Sequence, residues 1–116
     1  MIEANIIGFS TSAEGDSYTQ GFNPSTGEAI DGSFHRATLN EVNRAVDQAV
    51  MAFNIYGKVS GKEKAVFLNA IADEIENLGD ELIERCCAES GLPKVRIQGE
   101  RARTTGQLRM FATLVA

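Results

Sequence analysis

From Thr38 onward the apolar residues recur with a helical period. Val42, Ala45, Val46, Ala49, Val50 and Phe53 follow at steps of three and four, the spacing that lines up one face of an α-helix. Thr38 followed by Glu41 has the form of a capping box, so an amphipathic helix is predicted to start there and to end at Gly57. Ser60 and Glu63 repeat the arrangement for a second helix. Val66, Phe67, Ala70, Ile71, Ile75 and Leu78 give it a broad apolar face, and Gly79 closes it. Asp80 is positioned to cap a third helix with Leu82, Ile83, Cys86 and Cys87 on its buried side. Gly91 is a helix stop, and Pro93 stands where a first turn tolerates a missing N–H. The third helix is therefore predicted to end at Ser90 and a fourth to begin near Leu92. In the fourth, Gly99 and Gly106 share a face with Arg103 between them, a stripe of small residues that predicts close approach of another backbone.

Ahead of the helices the pattern changes. Asn5-Ile6-Ile7-Gly8-Phe9 and Tyr18-Thr19-Gln20-Gly21-Phe22 are short β-prone runs separated by the polar stretch Ser12–Ser17, and they are predicted to pair as one β-hairpin. Asn23-Pro24-Ser25-Thr26-Gly27 then supplies turn chemistry before an extended piece through Ile30. The expected layout is a β-hairpin and loop over residues 1–37 and four helices over residues 38–116. Because a lone hairpin is marginal in water, it must lean on something else. The closing run, residues 110–116, is apolar without a glycine stop, a basic last turn or a polar tail, and reads as a surface in need of a partner.

A length of 116 residues bounds this to one domain at most. With 43% hydrophobic and 23% charged residues the composition is that of an ordinary globular protein. It has no apolar run of about 18 residues and no basic-then-apolar leader, so no membrane span is predicted and the expected location is cytoplasmic. A net charge of −5 without a basic cluster argues against a nucleic-acid partner. The two cysteines, Cys86 and Cys87, are adjacent; they form neither a disulfide framework nor a zinc site.

Two stretches carry a resemblance. Glu89-Ser90-Gly91-Leu92-Pro93, then Gln98-Gly99-Glu100-Arg101, then Gly106-Gln107-Leu108-Arg109-Met110-Phe111-Ala112 resembles the region just before the cofactor domain of NAD(P)-dependent aldehyde dehydrogenases. Asn23-Pro24-Ser25-Thr26-Gly27-Glu28 is similar to a signature near the start of the same enzymes. Within the superfamily the wording is closest to the α-ketoglutaric semialdehyde (2,5-dioxovalerate) dehydrogenases. The resemblance implies an α/β parent fold, of which this chain is the N-terminal, mainly helical segment and an incomplete domain. It also implies a homo-oligomer, a small semialdehyde substrate, and NADP or NAD in the complete enzyme.

Such enzymes attack the aldehyde with a cysteine thiolate, pass a hydride to the nicotinamide and hydrolyse the thioester with glutamate-activated water. By the resemblance those groups lie beyond Ala116, so no catalytic residue is expected here. Cys86 and Cys87 sit mid-helix near Glu84 and Glu89, which is not the electropositive setting of a nucleophilic thiol, and they read as structural. His35 reads as a surface loop residue. No G-x-G-x-x-G or Walker loop occurs, so the chain alone is expected to bind neither NAD(P) nor a metal. The resemblance sets the fourth helix beside the substrate tunnel, and a substrate with a distal carboxylate would need guanidinium or amide donors. Arg103, Gln107 and Met110 share one face and are the tunnel candidates; Arg109 lies off it. The alternative is that Arg101, Arg103 and Arg109 merely pair with surface carboxylates and that Met110 and Phe111 pack in a core. The rival to the whole reading is a free-standing, non-catalytic helical interaction module.

Overall fold

The structure is a computed structural model and describes residues 3–116. Four short strands precede four helices, and the chain divides into two compact units. The first holds the residues up to Phe22 together with Gly27–Lys58; the second holds Asn23–Thr26 and Val59–Ala116.

In the first unit, β1 (Asn5–Ile7) pairs antiparallel with β2 (Ser10–Ser12), Ile7 opposite Ser10. Gly8 and Phe9 are left as a two-residue turn, and Gly8 takes the positive φ of 62° that such turns demand at their first position. A second hairpin joins β3 (Tyr18–Phe22) to β4 (Ala29–His35), with Tyr18 opposite His35 and an irregularity between Gln20 and Phe22. Two hairpins therefore stand where the sequence predicts one pairing of residues 5–9 with 18–22. Ser10-Thr11-Ser12 has no apolar alternation, yet ladder hydrogen bonds need none. The extended piece also runs on past Ile30 to His35.

Helix α1 (Leu39–Tyr56) starts as expected. Thr38 is extended, its hydroxyl accepts from the Glu41 N–H at 3.2 Å, and the Glu41 carboxylate accepts from the Thr38 N–H at 2.8 Å. Glu41 is also fully buried, which its place in the sequence does not announce. Its other oxygen accepts from the Ser12 hydroxyl at 2.5 Å and from the Glu14 N–H at 3.2 Å, tying the first hairpin to α1. The Ser12 hydroxyl and the Thr38 and Glu14 donors hold the carboxyl down to about 2, against the burial that opposes ionisation. Arg44 adds bonds to the Ser12 hydroxyl and the Glu14 carboxylate, both 2.6 Å. The apolar stripe of α1 is real but open: Val42, Val46, Val50 and Phe53 are all exposed.

The second unit is a helical layer of α2 (Gly61–Asn77), α3 (Gly79–Ser90) and α4 (Lys94–Val115). Ser60 and Glu63 form the predicted capping box. Asp80 does not cap α3. That helix follows α2 so directly that Leu78 occupies the N-cap with no side-chain bond, and Asp80 in the first turn pairs with Lys94 at 3.2 Å. Nor does Pro93 open α4 from inside. It is the extended N-cap, ψ 149°, and its carbonyl accepts from the N–H groups of Arg96 and Ile97, so the helix begins at Lys94 rather than near Leu92. α4 packs chiefly along α2 and also on α3. Ala65 and Ala72 of α2, Ile83 of α3, and Thr105 and Ala112 of α4 are the buried residues of this unit. No other part of the chain lies within 4 Å of a Cβ built at Gly99 or Gly106, so the close backbone approach expected there is absent among the described residues.

Candidate functional site

The two stretches that carry the resemblance meet at the α3–α4 corner. Gly91 ends α3 in the left-handed region, φ 69°, with its N–H bonded to the Cys87 carbonyl at 2.9 Å. The Ser90 hydroxyl donates to the Cys86 carbonyl at 2.6 Å and accepts from the Leu92 N–H at 3.2 Å. A Cβ on Gly91 would lie 3.0 Å from Cγ of Pro24 and 3.2 Å from the hydroxyl of Ser25. The Asn23 turn is itself closed by a bond from the Ser25 N–H to the Asn23 side chain at 2.9 Å. This corner fixes where α4 starts.

Along α4 the arginines divide by what they touch. Arg96 pairs with Glu100 at 2.6 Å. Arg101 donates to the carbonyl of Gly79, the first residue of α3, at 2.9 Å. Arg109 bridges Asp73 and Glu76 of α2 through one nitrogen, at 2.9 and 2.8 Å, and the two carboxylates, Asp73 foremost, raise its pKa further. Arg103 alone on this helix has an arginine side chain with no hydrogen-bond or ion-pair partner among the described residues. With about 100° per residue, Arg103, Gln107 and Met110 lie about 140–160° around the axis from the buried Thr105. All three are exposed, on the side of α4 turned away from its packing seam.

The packed side of α4 closes a cleft of about 370 Å³ with α2 and α3. Its wall is apolar, with Leu78, Leu82, Ile83, Cys86 and Ile97, and Thr104 and Arg101 at its edge. None of Arg103, Gln107 and Met110 lines it. Cys86 and Cys87 are half-buried free thiols, and Cys86 faces this apolar wall. His35 is not a loop residue: it ends β4, half-buried, with Nδ1 3.1 Å from the Gly15 carbonyl and its ring 4.6 Å from that of Tyr18. The four strands form antiparallel hairpins, and the N-termini of α1 and α2 are closed by their own capping boxes. No described helix is long and apolar enough to cross a membrane.

The motifs and the fold define a segment of a known class. A model of the aldehyde dehydrogenase family matches residues 10–116, and the chain belongs to that family. Among its relatives, alpha-ketoglutaric semialdehyde dehydrogenase 2 of Azospirillum brasilense is 49% identical over 111 residues, 95% of this chain and 21% of the relative. Alpha-ketoglutaric semialdehyde dehydrogenase of Acinetobacter baylyi is 50% identical over 82 residues, 71% of this chain and 16% of the relative. D-glyceraldehyde dehydrogenase (NADP(+)) of Picrophilus torridus is 31% identical over 90 residues, 78% of this chain and 18% of the relative. The chain thus spans a fifth or less of the length of these relatives, within a per cent or so.

Proposed function

We propose that this chain is the N-terminal part of a dehydrogenase that oxidises a small semialdehyde, α-ketoglutaric semialdehyde foremost, to the carboxylate with NADP or NAD. Its own role is structural. The hairpins and helices buttress the dinucleotide-binding part of the same polypeptide, within a homo-oligomer, and α4 forms one wall of the substrate tunnel. Two relatives near 50% identity carry that substrate in their names, and a third names NADP(+).

The observation that carries the site is the free guanidinium of Arg103. Arg96, Arg101 and Arg109 have their donors engaged, whereas Arg103 stands exposed in line with Gln107 and Met110. A guanidinium with an amide one turn away suits a carboxylate at the far end of a substrate, and the methionine offers an apolar contact to its methylenes. The test uses the full-length polypeptide that contains this chain. Reduced nicotinamide should form with α-ketoglutaric semialdehyde, and Arg103→Gln should raise KM for it about tenfold or more, the scale of a lost charged hydrogen bond. The 116-residue chain alone should form none. Failure of the full-length protein to reduce NAD(P) with any aldehyde would overturn the reading.

A further inference from the structure

Arg101 and Arg109 stand one turn to either side of Thr105, the buried residue at the centre of the α4 seam. At about 100° per residue they project about 40° to opposite sides of it. Their partners lie accordingly. Arg101 reaches the Gly79 carbonyl at the start of α3, at 2.9 Å, and Arg109 reaches Asp73 and Glu76 on α2. Turning α4 about its axis in one direction draws Arg101 off its carbonyl; turning it in the other draws Arg109 off its carboxylates. The buried residues of α2 and α4, Ala65, Ala72, Thr105 and Ala112, are small, so between these two helices no long buried side chain interlocks against rotation.

We infer that Arg101 and Arg109 are a pair of opposed rotational stops that set the azimuth of α4 and thereby aim Arg103. They are positioning residues for substrate recognition, and this rests on the carboxylate-binding reading of Arg103. The leverage is large. A turn of about 25° sweeps a side-chain tip about 6 Å off the axis through about 2.6 Å, enough to take a guanidinium out of hydrogen-bond range. Exposed ion pairs contribute little to folding, and Arg109 and its partners are all partly solvated, so removing them changes aim more than stability.

The experiment measures, in the full-length dehydrogenase, the ratio of kcat/KM for α-ketoglutaric semialdehyde to that for pentanal, a neutral aldehyde of equal chain length. Arg109→Gln should lower this ratio about tenfold or more, the scale of a charged hydrogen bond lost from Arg103 to the substrate, chiefly through KM for the charged substrate. Arg109→Lys should restore part of it. Asp73→Asn with Glu76→Gln, which leaves the arginine in place, should lower the ratio as Arg109→Gln does and supplies the test should that variant fold poorly. A merely structural role would depress both substrates together and leave the ratio fixed, which overturns the inference. Arg103→Gln separates the two failures. If it collapses the ratio and the Arg109 variants do not, the stops are wrong and the site stands; if it leaves the ratio fixed, the site reading falls and the inference with it.

Discussion

Gly91 approaches Pro24 so closely that an added Cβ would lie 3.0 Å from the ring Cγ, across 67 positions of sequence. Gly91 also has φ 69°, where a side chain is strained whatever the space. Both effects act in one direction. Gly91→Ala is expected to cost about 1–2 kcal/mol from the left-handed backbone alone, with the Pro24 contact added. Denaturant unfolding of the chain checks it, and a cost no larger than that of an ordinary surface substitution would show that the corner is not held as described.

Acid should loosen the first unit, which neutral pH leaves intact. The Glu41 carboxyl titrates at about 2 when folded, below the ordinary 4.5, because the Ser12 hydroxyl and the Thr38 and Glu14 donors favour its ionised form. A depressed carboxyl stabilises the fold fully above its unfolded value and loses that contribution as pH falls through the folded one. Thermal stability should therefore decline between about pH 5 and pH 2. Glu41→Gln should flatten that decline without abolishing it, since Glu14, held by Arg44, and Glu63, held by Ser60, are lowered too. A Glu41→Gln profile parallel to the parent's would contradict the assignment.

The helix caps give a sharper contrast. Ser60→Ala removes a hydroxyl that accepts from the Glu63 N–H at 3.3 Å and should cost about 1 kcal/mol. Asp80→Ala removes no cap, only an exposed pair with Lys94, and should stay within about 0.5 kcal/mol. Equal costs would mean that Asp80 caps α3 after all.

These cases also mark what the sequence discloses. Thr38 with Glu41 and Ser60 with Glu63 are legible because a capping box is local, a matter of three residues and one turn of backbone. The α2–α3 junction is not, because the same Gly79-Asp80 pair serves a helix stop and a capped start equally well, and only the packing of the next helix decides. Strand pairing is less legible still: Ser10-Thr11-Ser12 becomes β2 through the turn at Gly8 and the long-range bond from Ser12 to Glu41, neither of which leaves a periodic trace. On α4 the shared face of Arg103, Gln107 and Met110 follows from spacing alone. Which arginine remains free does not, because Asp73, Glu76 and the Gly79 carbonyl are distant in sequence from Arg109 and Arg101.

Gly99 and Gly106 test the proposal that this chain is part of a longer polypeptide. Both are in α4 with ordinary helical φ, and nothing of this chain lies within 4 Å of a Cβ at either. In the 116-residue chain Gly99→Ala and Gly106→Ala should each stabilise by about 0.5–1 kcal/mol, since alanine gives up less backbone freedom in a helix interior than glycine. If another backbone of the proposed full-length protein seats on this stripe, the same substitutions should lower the stability of that protein, because the new methyl groups would hold that backbone off. Paired unfolding measurements on the chain and on the full-length protein decide it: opposite signs place a partner segment on the glycine stripe, and stabilisation in both leaves the stripe facing solvent.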